Sequence, residues 1–206
     1  NLRVFTMTQY ESGRQTEVAY PPENTTNCLS DMFEKAGYSQ FHVAESEKTA
    51  HVTYFFNGGR ELALDHEDHQ TIKSYPPDQF IHHPEMSAAG VTDAAIQAIS
   101  SDKYGLIIVN YANADMIGHT GDYTATCQAI ATLDHEINRL ANYVLRKNGV
   151  FALTADHGNA ELMYDPKTKA VSKEHTINPV PFILASFAWH QAEASSQKIG
   201  SGSLVS

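Results

Sequence analysis

Two short apolar runs separated by a long amphipathic stretch constrain the fold of this chain most strongly. The runs are residues 104–110 and 150–155, and residues 122–147 between them place apolar side chains three and four positions apart. A short continuous apolar run is typical of a strand covered on both faces, and the three-four spacing is typical of a helix. Strand, helix and strand in this order form the crossover unit of parallel sheets. The sequence therefore predicts an α/β fold with a mostly parallel sheet and helices on both faces.

The remaining segments give weaker predictions. We expect a helix that is capped by Thr26 or Asn27 and ends at Gly37. Its apolar face, with Leu29 and Met32, is expected to be buried in the core of the natural protein, and a partner-binding stripe is the alternative. Residues 60–84 are polar and rich in His and Pro, so they predict an irregular segment with at most a short strand near residues 71–74. Other patterns predict strands at 2–7, 41–44 and 180–185, helices at 45–56 and 87–100, and a hairpin at 160–171.

Composition excludes several classes of protein. The 206 residues are 42% hydrophobic and 18% charged, which is typical of a globular chain. No apolar run approaches the roughly 18 residues of a membrane span, and no signal peptide pattern is present, so a cytoplasmic location is expected. Cys28 and Cys127 lack CxxC spacing and are expected to be buried thiols in a reducing compartment. A net charge of −10 argues against nucleic acid as a partner.

Five candidate metal ligands follow the predicted strands. Asp115 and His119 come after the first apolar run, Asp156 and His157 come directly after the second, and His175 lies further along the chain. Ligands collect beyond the carboxyl ends of strands in open α/β sheets, so these side chains are expected at one edge. Carboxylates and imidazoles together suit Mn²⁺ or Zn²⁺, and pairs of such ions serve phosphoryl transfer.

The spacing of these ligands leaves one question open. Asp115 and His119 are four residues apart, so one helical turn places both on one face. Asp156 and His157 are adjacent and would point to opposite faces of a regular strand. Either the chain turns at Gly158 and both reach one site, or each serves a different ion. Scattered loop histidines are usually solvated, and we expect this of His66, His69, His82 and His83.

Five sequence blocks carry a family resemblance. They are residues 47–59, 84–88, 110–121, 153–161 and 175–182, and they include Asp115-Met-Ile-Gly-His119, Asp156-His157-Gly and His175-Thr-Ile-Asn-Pro. In this order the blocks closely resemble the C-terminal part of the cofactor-independent (2,3-bisphosphoglycerate-independent) phosphoglycerate mutases, within the alkaline phosphatase superfamily. The resemblance implies an alkaline phosphatase-like fold and an isomerase that interconverts 3-phosphoglycerate and 2-phosphoglycerate through a phosphoserine, using two Mn²⁺ ions.

The resemblance also implies a role for each candidate residue. Asp115, His119 and His175 match the protein ligands of one Mn²⁺, and Asp156 with His157 match two ligands of the second. Lys48 matches a lysine beside the nucleophile and the transferred phosphate, where its charge would have a catalytic role. Taken from the sequence pattern without the resemblance, Lys48 would be a solvated helix charge.

Parts of the family pattern have no counterpart in these residues. The family carries a serine nucleophile and a further aspartate ligand near its N-terminus, and an arginine-rich transferase domain that grips phosphoglycerate. We therefore expect a fragment, in which residues 1–22 end the transferase domain or form a linker and residues 23–206 form the C-terminal part of the phosphatase-like domain, short of the family's last helix. The missing N-terminal part would be its partner, one metal site would be largely complete, and the isolated fragment would be inactive.

Two other functions stay open at this point. The natural protein is expected to be the mutase, but another metal-dependent phosphomutase or phosphatase of the same superfamily would share these blocks. A non-catalytic metal-binding module is a third reading. The substrate-gripping region that separates the first two is not among these residues.

Overall fold

The computed structural model describes residues 3–8, 16–21, 25–61, 63–165, 167–168 and 170–187. In chain order its strands and helices are β1 (Phe5–Thr6), β2 (Glu17–Val18), α1 (Leu29–Lys35), β3 (Gln40–Glu45), α2 (Thr49–Val52), β4 (Glu67–Ile72), α3 (Ala88–Ser100), β5 (Leu106–Asn110), α4 (Asn113–Gly118), α5 (Tyr123–Arg146), β6 (Phe151–Leu153) and β7 (Ile183–Ala185). Short 3-10 helices cover Ser46–Lys48 and Pro77–His82.

A parallel sheet with the order β4-β3-β5 forms the centre of the fold. Gln40 of β3 lies opposite Glu67 of β4 and Leu106 of β5. All six residues of β3 are buried. Because successive side chains of a strand point to opposite faces, this burial means that both faces of β3 are covered. The mixed α/β fold with parallel strands and packed helices is confirmed.

The main hydrophobic core lies between this sheet and two helices. Val43 of β3 and Val91 of α3 are fully buried, and Leu140 of α5 packs in the same cluster. The long helix predicted from its three-four spacing is confirmed as α5, where Asp122 caps the first turn by accepting a 2.8 Å hydrogen bond from the Ala125 amide. Helix α5 therefore closes the core over α3.

The second apolar run pairs outside this parallel sheet. Strand β6 pairs with β7 in antiparallel orientation, with Leu153 opposite Ile183. The runs at 104–110 and 150–155 are half-buried to exposed as β5 and β6, so the prediction that both would be fully buried is wrong. Among the described residues only β3 pairs with β5, and this leaves its other edge without a strand.

Two segments differ from the predicted elements. The helix expected over 45–56 begins later, because β3 continues through the buried Glu45 and only Thr49–Val52 is α-helical. In the segment predicted to be irregular, Glu67–Ile72 forms the six-residue strand β4. Four of the six side chains of this edge strand are exposed. Its sequence is therefore mostly polar and shows no alternation of apolar and polar residues.

The N-terminal part departs from the pattern as well. Helix α1 begins after Cys28, whose amide donates a 3.0 Å hydrogen bond to the Asp31 carboxylate, rather than after Thr26 or Asn27. Leu29 and Met32 are 53% and 54% exposed in this chain, so their burial in the core of the natural protein stays a prediction. The strand expected at 2–7 is short, since β1 covers only Phe5–Thr6.

Three other predicted elements agree better with the structure. The hairpin at 160–171 is supported by an antiparallel bridge between Tyr164 and Val171, although Pro166 lies outside the described residues. The helix and strand expected at 87–100 and 180–185 appear as α3 and β7. Across the part of the chain that the structure covers, none of the helices combines the length and apolar character needed to cross a membrane.

Candidate metal centre

Three chain segments meet at the carboxyl ends of β5 and β6. Helix α4 follows β5 and carries Asp115, and His119 caps its C-terminal end. The loop after β6 carries Asp156 and His157. A bridge between Gly158 and Thr176 holds this loop against the segment that contains His175. The structure therefore brings the two ligand segments together as predicted, although β5 and β6 belong to different sheets among the described residues.

The Asp115 carboxylate is the common partner of two imidazoles. Its Oδ1 lies 3.0 Å from His119 Nε2 and 3.3 Å from His175 Nε2. The two Nε2 atoms are themselves 3.0 Å apart. One carboxylate oxygen and two ring nitrogens thus converge on a small volume, in the arrangement that a first-row divalent ion accepts.

The hydrogen bonds of His119 support the same conclusion. Its Nδ1 donates a 2.6 Å hydrogen bond to the Lys173 carbonyl, which leaves Nε2 as the ring nitrogen with a lone pair. Nε2 lies 3.0 Å from the Asp115 carboxylate and 3.3 Å from Asn159 Nδ2, and a divalent cation would accept its lone pair together with the carboxylate. A ligating histidine commonly donates its other N–H to a backbone carbonyl in this way. The residues present therefore fit a divalent metal ion.

His157 joins this group, whereas Asp156 stands beside it. The ring of His157 stacks on His175 with centroids 3.7 Å apart, and Asp115, His157 and His175 each offer one ligand atom within 4.8 Å of the others. The Asp156 carboxylate lies 3.7 Å from His157 Nε2, and its side chain is 46% exposed. The backbone bends at Asp156 and His157. A turn here was part of the alternative in which both side chains reach one site. The division of Asp156 and His157 from the other ligands into a second ion site stays a prediction.

Lys48 enters the centre from the 3-10 helix after β3. Its side chain is 5% exposed, and Nζ donates a 2.6 Å hydrogen bond to Asp115 Oδ2. Burial acts to raise the pKa of the Asp115 carboxyl, but the hydrogen bond and charge of Lys48 outweigh burial and hold this pKa below its usual value. Lys48 is therefore a buried cation at the centre and not a solvated helix charge.

Sequence reasoning missed three residues around this centre. Asn159 Nδ2 donates a 3.1 Å hydrogen bond to Asp115 Oδ1, and a Cβ added at Gly118 would overlap the Asn159 side chain. Glu161 accepts hydrogen bonds from the Asn159 amide and from Thr176, and so ties the two loops together. Both residues lie in the Asp156-His157-Gly-Asn-Ala-Glu161 block, but only Asp156 and His157 of this block were predicted to bind metal.

The third missed residue is His51. Burial lowers the pKa of this imidazole, and the nearby charge of Lys48 lowers it further. Its Nδ1 is buried without a hydrogen-bond partner among the described residues. His51 lies within α2, three positions after Lys48. This spacing places both side chains on one helical face and could have identified His51 from the sequence.

Comparison with known proteins gives consistent matches. The family model described as the Metalloenzyme superfamily matches residues 7–205. The chain is 48% identical over 184 residues to the 2,3-bisphosphoglycerate-independent phosphoglycerate mutase of Picosynechococcus sp., covering 89% of this chain and 35% of that protein. It is 46% identical over 194 residues to the protein of the same name from Chloroflexus aurantiacus, covering 94% of this chain and 36% of that protein.

A solved structure also matches the fold. Phosphoglycerate mutase of Leishmania mexicana, crystallised at low cobalt concentration, superposes with a TM-score of 0.80 at 33% sequence identity. The match covers 88% of this chain and 36% of that one. The chain thus spans about a third of the length of the relatives it matches.

Proposed function

This chain belongs to the metalloenzyme superfamily, and we propose that it forms the C-terminal part of a cofactor-independent phosphoglycerate mutase. The natural protein then interconverts 3-phosphoglycerate and 2-phosphoglycerate through a phosphoserine intermediate. The observation that carries this proposal is the contact of a buried Lys48 with Asp115, inside a group of imidazoles. A phosphoryl-transfer site needs such a concentration of positive charge and metal ligands.

Each candidate ligand has a proposed place in the centre. Asp115, His119 and His175 would hold one divalent ion, and Asp156 with His157 would supply part of the site for a second. We propose Mn²⁺ for both, because mixed carboxylate and imidazole ligands suit it. When bound, the ions supply positive charge that stabilises a transferring phosphoryl group.

Lys48 has two proposed roles in the chain's own chemistry. Its ammonium group keeps the Asp115 carboxylate ionised, as the lowered pKa of Asp115 indicates. The same group offers a compact charge to the phosphate oxygens of the substrate. Because the side chain is almost fully buried, that charge acts in a medium of lower dielectric than water, where it stabilises negative charge more strongly.

The remainder of the active site is proposed to come from the N-terminal part of the same polypeptide. That part would supply the serine nucleophile, a further aspartate ligand and the arginines that grip phosphoglycerate. The free edge of β5 among the described residues is a position where a further strand would pair. In this arrangement residues 1–22 end the transferase domain or form a linker, and residues 23–206 belong to the phosphatase-like domain.

We further propose a glycolytic role and a cytoplasmic location for the natural protein. Cys28 is half-buried and Cys127 is exposed, so the prediction of buried thiols is wrong, and both are free thiols, which is consistent with a reducing compartment.

The test compares this chain with the natural full-length protein in one assay. With Mn²⁺ and 3-phosphoglycerate, a coupled readout of 2-phosphoglycerate should show turnover by the full-length protein and none by the isolated chain. A control assay uses a generic aromatic phosphate ester. Hydrolysis of that ester by a full-length protein without mutase turnover would support the phosphatase reading instead. Robust mutase turnover by the isolated chain would contradict the incomplete site.

A further inference from the structure

A second group of metal-binding side chains lies in the body of the parallel sheet. His42 of β3 and His69 of β4 are opposite each other in the strand register. Glu67 precedes His69 by two residues, so its side chain lies on the same face of β4. One ring nitrogen from each histidine and one carboxylate oxygen of Glu67 all lie within 4.8 Å of one another. We call these three residues the His-Glu-His cluster.

Glu67 is the buried anion of this cluster. Its side chain is fully buried, and its Oε1 lies 3.2 Å from His42 Nδ1. The same oxygen accepts hydrogen bonds from His69 Nε2 and, at 2.7 Å, from Asn57 Nδ2. Burial acts to raise the pKa of Glu67, but these hydrogen bonds outweigh it and lower the pKa to about 2. The carboxylate is therefore ionised in the interior of the protein, where an uncompensated charge is costly.

The hydrogen bonds leave two buried atoms without partners. His42 Nδ1 donates a 2.7 Å hydrogen bond to the Val52 carbonyl, which fixes the tautomer and leaves a lone pair on Nε2. Nε2 is buried and has no partner among the described residues, and the same is true of Asn57 Oδ1. A buried polar atom without a partner costs free energy, and a bound ion or water is one of its ordinary explanations.

We propose that the His-Glu-His cluster is a second metal site, distinct from the centre around Asp115, that binds Zn²⁺ or a similar divalent ion. Two imidazoles and a carboxylate are a common protein ligand set for zinc, with water at the fourth position. The ring nitrogen of His42 that lies near Glu67 is Nδ1, so ligation from this side would replace its proton and its hydrogen bond to the Val52 carbonyl. His69 is 28% exposed in its side chain and gives an ion access from solvent. A bound ion would join β4, the edge strand, to the centre of the sheet.

The test must separate this site from the candidate metal centre. The natural protein is made with His119→Ala, His157→Ala and His175→Ala together, which removes the imidazoles of that centre. Zinc is then titrated in competition with a chromophoric chelator, and we expect one Zn²⁺ bound per chain. Adding His69→Ala should weaken zinc affinity by at least about tenfold. Loss of a residue that only supports a ligand already lowers metal affinity by about that factor, and loss of the ligand itself should lower it more. His82→Ala is the control, because His82 is an exposed histidine that lies outside the cluster.

A second variant and a second readout keep the proposal testable. Glu67→Gln should weaken zinc binding as His69→Ala does, and Co²⁺ bound in place of zinc should lose its visible absorption in both. If the triple variant fails to fold, the same two changes in the wild-type protein should lower the zinc stoichiometry by one. A folded triple variant that binds no zinc would show that the cluster is only a hydrogen-bonded network. Zinc affinity that is unchanged by both variants would overturn the proposal equally.

Discussion

The candidate metal centre and the His-Glu-His cluster use the same side-chain types in opposite surroundings. At the centre, the His119 and His175 side chains are 37% and 50% exposed and stand on a helix end and a loop beyond the strands. In the cluster, His42 and Glu67 are fully buried and lie within paired strands. A site on loops stays open to a substrate, whereas a buried site between strands does not. We therefore propose a role in chemistry for the first site and a role in stability for the second.

The two carboxylates also differ in what compensates their charge. Asp115 is held by the Lys48 side chain, which donates a hydrogen bond to it, whereas Glu67 is surrounded by imidazoles, an amide side chain and a backbone N–H. Removing Lys48 should therefore affect catalysis foremost, and removing Glu67 should affect stability foremost. The following experiments test this division, from the largest expected effect to the smallest.

Lys48→Ala in the natural protein should lower mutase turnover by about 10² to 10³, the range seen when one preorganised stabilising group is lost. The change removes the buried charge beside Asp115. Lys48→Arg should recover little, because the planar guanidinium cannot replace a point charge in this confined position. The matched control is Lys73→Ala, since Lys73 is exposed. Wild-type turnover in Lys48→Ala would remove Lys48 from the active site.

Glu67→Ala should lower the free energy of unfolding by about 3 kcal/mol in the presence of a chelator, because it removes the central partner of a buried polar group. Asp156→Ala should change it by less than about 0.5 kcal/mol, since that side chain is half exposed and has no close partner but His157 among the described residues. Urea denaturation of both variants at neutral pH measures the difference. Equal losses in the two variants would abolish the contrast between a structural and a catalytic carboxylate.

The pH dependence of stability should carry the signature of Glu67. Its pKa is about 2 in the folded chain against an ordinary value of 4.5, so the unfolded chain binds its proton first as pH falls. The resulting stabilisation, on the order of 3 kcal/mol, is complete above about pH 5 and is lost as pH falls toward 2. Metal-free wild type and Glu67→Gln, unfolded in urea between pH 6 and pH 3, should therefore converge at low pH. The lowered pKa of Asp115 adds a decline that both proteins share. Curves that stay parallel would contradict the ionised state of Glu67.

These contrasts also explain which features the sequence could predict. Helix α5 has a long apolar stripe, and its 24 residues were predicted almost to the ends because a period sustained over many turns is unambiguous. Asp115 and His157 could be placed together because both follow apolar runs, and ligands collect beyond the carboxyl ends of strands, even though β6 pairs outside the parallel sheet. In both cases the signal lay in the local pattern or in a simple rule of topology.

The features that were missed depend on which strands pair with each other and on which parts of the protein cover a helix face. Strand β4 is exposed along most of its length, and hydrogen bonding to β3, not its own apolar pattern, makes it a strand. Without β4 the register that places His69 opposite His42 could not be seen. The sequence showed that α1 has an apolar face, but a local pattern cannot show what covers that face. Leu29 on this face is exposed among the described residues.

The smallest expected effect concerns Asn159, which contacts the centre without belonging to the predicted ligands. Its Nδ2 donates to Asp115 Oδ1 and lies 3.3 Å from His119 Nε2, and the residue is 7% exposed. Such a buried partner orients a ligating carboxylate, so Asn159→Ala should weaken Mn²⁺ binding at the centre by about tenfold. Calorimetric titration measures this affinity, and Asn142→Ala in the exposed part of α5 is the control. Zinc affinity of the His-Glu-His cluster should be unchanged in Asn159→Ala, because none of the contacts of Asn159 reaches β3 or β4 among the described residues. A parallel loss of zinc affinity would mean that the two sites are coupled, and the division between a catalytic and a structural site would then fail.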